Sequence, residues 1–251
     1  FRSQAGHPGG SLSEIDILCG LYGHRLRVKP DDPDWEDRDR FILSKGHASP
    51  GMYAVLAEMG FISHEDLKSY RVKGGVCQGH VDMKWCPGVD FSAGSLGMGL
   101  SFGMGCAVAA KLDGSIRNAY VMVGDGEIQE GSVWEAAMAA THHELGNLKL
   151  FVDCNGIQND DFCEAQMRMF DIPAKWNAFG WAVKVIDGHD MTSIVEAIDW
   201  MDTIQDKPAV VIAQTIKGKG VSFMENNPAF HGAAPSDEQL AQALSELGVE
   251  A

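Results

Sequence analysis

Val121-Met122-Val123-Gly124-Asp125-Gly126-Glu127 is an apolar run that stops abruptly on small and oxygen-bearing residues. Thirty residues on, Asp153-Cys154-Asn155-Gly156-Ile157 ends a second apolar run in the same way. Residues 119–123 and 148–152 read as buried strands. Between them, 129–145 is alanine-rich with apolar positions at helical spacing, which predicts a βαβ unit with parallel strands. Ligands of such sheets lie beyond the carboxyl ends of the strands, where Asp125 and Asn155 would stand together. A carboxylate, a side-chain amide and one backbone carbonyl suit Mg²⁺, whose other positions go to water and phosphate oxygens. Gly124 and Gly126 would let a diphosphate approach the backbone closely. A lone Gly-Asp-Gly reads equally well as a tight turn after a strand; the Asn at a second strand end is what strengthens the metal reading.

Working outward, 251 residues suffice for one large α/β domain with a real core, set here at 1–251. Twenty basic residues against 35 acidic give a net charge of −15, with no basic stripe. Nucleic acid and anionic membrane surfaces are therefore poor partners. Six cysteines (Cys19, Cys77, Cys86, Cys106, Cys154, Cys163) show no CxxC pair and no metal-type spacing. Cys19 and Cys106 fall in apolar helical patterns and Cys154 ends a strand, so they are expected to be reduced core thiols in a cytoplasmic protein. Residues 93–110 carry no charge over eighteen positions, but five of these are glycine, which predicts a buried, close-packed helix and not a membrane span.

Along the chain, Gly6-His7-Pro8-Gly9-Gly10-Ser11 reads as a loop, followed by a helix over 11–22. Phe41-Ile42-Leu43-Ser44 is a short strand that ends at Lys45-Gly46-His47-Ala48, and a helix with Pro50 in its first turn follows to Leu56. Ser63 caps a short helix over 64–70. Residues 72–92 are irregular and glycine-rich, a length that in a compact domain is usually functional or disordered. Residues 156–164 are again irregular. A helix over 171–179, a strand over 181–186, a helix capped by Asp190 and a strand over 209–215 complete the pattern. Ser236 with Gln239 makes a capping box for a last helix.

Nine histidines occur. His7, His47 and His80 directly follow a glycine and His231 directly precedes one, all in loops or at a strand end. Imidazole can donate to phosphate or hydroxyl oxygens and moves protons near neutral pH. His24, His64, His142, His143 and His189 fall on helix surfaces or in turns and read as ordinary surface residues.

Gly6-His7-Pro8-Gly9-Gly10, Leu43-Ser44-Lys45-Gly46-His47-Ala48, Gly79-His80, Gly94-Ser95-Leu96-Gly97-Met98-Gly99, Gly124-Asp125-Gly126 and Lys217-Gly218-Lys219-Gly220 through His231-Gly232 occur in transketolase order and spacing. The sequence resembles the thiamine-diphosphate-binding, N-terminal domain of transketolases over essentially its whole length. That resemblance implies a parallel sheet flanked by helices on both faces. It implies thiamine diphosphate held through Mg²⁺ (or substituting Ca²⁺ or Mn²⁺), with Asp125, Asn155 and the main-chain oxygen of Ile157 as metal ligands. His47, Gly94, Ser95, Leu96, Gly124, Gly126, Asn155, Lys217 and His231 would line the cofactor. His7, His80 and His231 would face the sugar hydroxyls as candidates for proton transfer. Glu130 and Glu135 match family glutamates at a subunit interface. The implied activity is transfer of a two-carbon ketol unit from a ketose (phosphate) to an aldose (phosphate), with the cofactor as electron sink.

Only twenty residues follow His231, and no residue here can be given the role of the glutamate that activates the aminopyrimidine. The expectation is therefore one subunit of a split transketolase rather than an excised fragment. A partner chain would carry the pyrimidine-binding domain, in an α2β2 assembly. Two alternatives share the fold: a 1-deoxyxylulose-5-phosphate synthase-like subunit, and a non-catalytic phosphate-binding regulator. The Lys45-Gly46-His47-Ala48-Ser49 turn weighs against the first and the four histidines against the second.

Overall fold

The computed structural model describes residues 1–159 and 161–249. Asp160, within the expected irregular passage 156–164, and the last two residues of the expected domain lie outside the described residues. Five strands, β1 (Arg40–Leu43), β2 (Ala119–Gly124), β3 (Leu148–Cys154), β4 (Ala182–Asp187) and β5 (Ala209–Gln214), form one parallel sheet in the order β1-β2-β3-β5-β4. The helices are α1 (Pro8–Gly20), α2 (Ser49–Glu58), α3 (Met98–Leu112), α4 (Gly131–His142), the single turn α5 (Cys163–Gln166), α6 (Ile172–Ala178), α7 (Met191–Thr203) and α8 (Asp237–Glu246). The β2-α4-β3 unit expected from the opening motif is present.

Pleating sorts the core into two layers. Tyr120 and Met122 of β2 join Ile17 and Leu18 of α1, Met52 of α2 and Ile194 and Ile198 of α7. Val121 and Val123 face the other way, onto Leu100 of α3, Val133 and Ala137 of α4 and Trp176 of α6. A sheet covered on both faces needs strands apolar on both sides, which is why β2 and β3 lack the polar alternation of a half-exposed strand.

Element ends shift for identifiable reasons. Helix α1 starts at Pro8, because proline is well placed in a first turn, and it runs into one π-helical turn, Leu21–Arg25. Helix α3 starts at Met98, not at Gly94, because Gly97 sits at φ +83°, a left-handed conformation that a helix cannot continue. It is close-packed as expected: a Cβ on Gly103 would lie 2.3 Å from Val121 Cγ2. It is buried on one side only, with Met98 and Phe102 exposed on the other. Residues 64–70 yield only a 3-10 turn, Asp66–Ser69, although Ser63 Oγ does accept from the Asp66 N–H at 3.2 Å. Asp190 caps α7 and Ser236 with Gln239 forms the capping box of α8, both as expected. All six cysteines are free; Cys19, expected in the core, is exposed because it falls on the outer side of α1. Among the described residues, no helix is long and apolar enough to cross a membrane.

Candidate cofactor site

Strands β2 and β3 are neighbours with Gly124 opposite Asp153, so the two motifs meet at the carboxyl edge of the sheet. The Asp125 N–H donates to the Asp153 carbonyl at 3.2 Å. The Asp125 carboxylate, 4 % exposed, accepts from the N–H groups of Gly126 (2.9 Å) and Gly156 (2.6 Å). Burial, and then the nearby Asp153, push its pKa up to about 6 against the pull of those N–H groups. Among the described residues it makes no ion pair, so it is a buried carboxylate short of a cation. Asn155 Oδ1 accepts from the Ile157 N–H at 3.1 Å and keeps a second lone pair. Lys217 Nζ donates to the Ile157 carbonyl at 3.0 Å, so an ammonium already sits on the third expected metal donor.

Among the described residues, no group of three or more His, Cys, Asp or Glu is arranged to hold a metal ion. That leaves a donor set of one carboxylate, one amide and one carbonyl. All are oxygens and only one is charged, which fits Mg²⁺ bound jointly with a diphosphate and not a closed Zn²⁺ site.

Asp125, Asn155 and Ile157, the expected metal donors, open onto a cavity of about 370 Å³. Its wall includes His7, His47, His80, His231, Lys217, Gly94, Leu96, Gly124 and Gly126 along with Asp125, Asn155 and Ile157. Ser95, expected there as well, is exposed and not part of the wall. Four loops from distant parts of the chain thus deliver their histidines to one place. The His7 ring centroid lies 5.1 Å from that of His47, 5.3 Å from His231 and 6.3 Å from His80. Burial, reinforced by neighbouring cations, lowers His7 and His231 to about 4 and His47 to about 2. These rings are neutral at physiological pH, each with one nitrogen able to accept a hydrogen bond. Lys217 Nζ donates to His231 Nδ1 at 2.6 Å, which places the ring proton of His231 on Nε2. Burial, and then Lys45, lower Lys217 to about 8. His7 Nδ1 is buried without a hydrogen-bond partner among the described residues, as expected of a donor or acceptor that awaits a ligand.

A layer of buried charge beneath this wall has no counterpart in the sequence reading. Glu127 receives the Ser44 hydroxyl and the N–H groups of Gly97 (2.8 Å) and Gly124 (3.1 Å), tying the segments after β1, before α3 and after β2 together. Lys45, 3 % exposed, donates to Asp153 and lies 2.9 Å from Glu14 Oε2. Burial pushes Glu14 up to about 8, whereas Lys45 outweighs burial and holds Asp153 low. At neutral pH one lysine therefore neutralises one carboxylate, and Glu14 keeps its proton. His189, expected to be an ordinary turn residue, accepts from the Ile216 N–H (2.9 Å) and meets Asp16 (2.8 Å), fixing the turn that leads to Lys217. Its sequence signal is position alone: it lies just past a strand end, beside another strand end.

A family profile described as "Transketolase, thiamine diphosphate binding domain" matches residues 2–251. The chain belongs to the transketolase family. A 6-deoxy-6-sulfo-D-fructose transketolase subunit from Clostridium sp. (strain MSTE9) is 40% identical over 245 residues, covering 98% of this chain and 89% of that one. An apulose-4-phosphate transketolase subunit from Phocaeicola vulgatus is 40% identical over 247 residues, 98% and 88% of the two chains. The crystal structure of transketolase from Campylobacter jejuni superposes with a TM-score of 0.94 at 33% identity, over 99% of this chain and 40% of that one. This transketolase chain thus corresponds to the N-terminal part of the longer enzymes, and its family is one of transferases that use thiamine diphosphate. Glu130 and Glu135, expected at an interface, are both exposed on or just before α4.

Proposed function

We propose that this chain is the N-terminal subunit of a split, Mg²⁺-dependent transketolase that moves a two-carbon ketol unit between sugar (phosphate) substrates. A partner chain with the pyrimidine-binding domain would complete it as an α2β2 enzyme in the reducing cytoplasm. One observation carries this reading. Asp125, Asn155 and the Ile157 carbonyl converge beside four histidines and a buried lysine, although these residues come from widely separated loops.

Bound thiamine diphosphate would supply the electron sink for breaking and remaking the carbon–carbon bond. The chain's own residues then have three tasks. Asp125, Asn155 and Ile157 O hold the metal, and Gly124 and Gly126 let the diphosphate lie against the backbone. His47, Gly94 and Leu96 wall the cofactor, with Lys217 near its diphosphate end. His7 Nδ1, His80 and His231 Nε2 hold the sugar hydroxyls and exchange protons with them; positioned acid–base groups of this kind contribute about 10²–10⁴-fold.

The purified chain is expected to turn over nothing alone and to show ketol transfer once mixed with the partner. Robust activity of the isolated chain would refute the split-enzyme reading. In the assembled enzyme, Asp125→Ala should weaken calorimetric Mg²⁺–thiamine diphosphate binding by more than about 100-fold, since even residues behind a metal ligand cost about 10–100-fold. Unchanged affinity would remove the metal assignment.

A further inference from the structure

The geometry points to Asp153 and Ser13 as positioning residues that lock the Asn155 amide with its oxygen toward the cation. The inference rests on Asn155 being a metal ligand and goes beyond it by naming what makes it one.

An asparagine is a metal ligand only through its oxygen, and a half-turn about its last side-chain bond presents an N–H₂ group to the cation instead. Here the neighbours choose. Asn155 Nδ2 lies 3.2 Å from Asp153 Oδ2 and 3.3 Å from Ser13 Oγ. Asp153 is fully buried, and Lys45, Ser13 and Thr215 all donate to its carboxyl oxygens, so the oxygen that faces Asn155 is an acceptor. Ser13 Oγ sits 2.6 Å from Asp153 Oδ2; with its proton committed there, it too presents a lone pair to Asn155. On the opposite side, the Ile157 N–H is a donor and meets Oδ1 at 3.1 Å. A flipped amide would set its oxygen against a carboxylate and its N–H₂ against an N–H.

The carboxylate cannot rotate out of the way. Lys45 from the turn after β1, Ser13 from α1 and Thr215 from the end of β5 each donate to it. Strand pleating supplies the alignment, because Asp153 and Asn155 are two residues apart and project to the same side.

Orientation and charge can be separated by substitution. Asp153→Asn keeps an acceptor oxygen facing Lys45, Ser13 and Asn155, because Lys45 can only donate; it loses the charge and keeps the lock. Asp153→Ala loses both. In the assembled enzyme with thiamine diphosphate, free Mn²⁺ followed by electron paramagnetic resonance gives the metal Kd directly, without turnover. Thermal unfolding without metal reports fold integrity separately.

Asp153→Ala is expected to weaken Mn²⁺ by about 10–100-fold, Ser13→Ala by about three- to tenfold, and Asp153→Asn by less than about threefold. Asn155→Ala serves as the reference for loss of the ligand itself. The inference is overturned if Asp153→Ala and Ser13→Ala stay within twofold of the parent while Asn155→Ala weakens binding. It is equally overturned if Asp153→Asn falls as far as Asp153→Ala, which would assign the effect to charge. If Asp153→Ala does not fold, Ser13→Ala decides by the same twofold limit. An Asn155→Ala variant with full affinity would bring down the metal assignment, and this inference with it.

Discussion

Acidifying the cofactor-free chain should withdraw stability through His7, His47 and His231 before most carboxylates protonate. In the fold, His7 and His231 are held at about 4 and His47 at about 2, against 6.5 for the free imidazole, chiefly by burial. A pKa below its unfolded value means that the unfolded chain takes up the proton first. The stability these rings represent is therefore complete above about 6.5 and is lost as the pH falls toward 4. Each full proton of difference is worth about 1.4 kcal/mol per pH unit. From 6.5 to 4, His47, the most enclosed, then withdraws about 3 kcal/mol. Halving the contributions of the more open His7 and His231 for solvent screening brings the three to roughly 6 kcal/mol. That rivals the whole stability of an ordinary domain, about 5–15 kcal/mol. Urea unfolding at several pH values between 7 and 4.5 should show a steep decline, shallower by up to about 1.4 kcal/mol per unit in His47→Asn. Identical slopes for parent and variant would refute the reasoning.

Two further outcomes concern the scaffold. A Cβ on Gly146 would lie 2.0 Å from the Gln205 carbonyl oxygen, a backbone atom with little room to move. Gly146→Ala should therefore lower stability in denaturant titration by about 1–3 kcal/mol; a neutral effect would mean that the 205 turn yields easily. Ser236→Ala removes the hydroxyl that accepts from the Gln239 N–H and should cost about 1 kcal/mol, with α8 loosening in hydrogen exchange. Unaltered exchange in α8 would show that its packing, not its cap, holds it.

What is legible in the sequence is what repeats locally. The apolar run at 119–123 and its ending on Gly124-Asp125 can be read without knowing what touches them, because a strand buried on both faces has its own composition. Asp190 and Ser236 are readable as caps for the same reason. The buried charges are not. Lys45 and Asp153 are 108 positions apart and meet only because β2 lies between their strands, a fact of topology with no local signature. Ser44 and Glu127 meet because β1 and β2, whose ends they follow, are neighbours in the sheet. Cys19 misleads because an apolar spacing of three and four does not say which side of α1 turns inward, and the true start at Pro8 shifts the first turn. The four glycine-flanked histidines share one cavity although the element ends around them shift, since glycine–histidine pairs mark close approach whatever the helix boundaries do.

The parity of β3 has a consequence for how the chain can vary. Asp153 and Asn155 point toward α1 while Cys154, between them, interacts with the Asp125 carboxyl on the other side. Replacing a residue anywhere upstream in this strand leaves that odd–even assignment intact. Inserting or deleting a single one inverts it, sending the amide to the thiol's side and the thiol to the amide's. Length polymorphism should therefore collect in the helices and in the long loop at 72–92, whereas β3 drifts in composition at constant length.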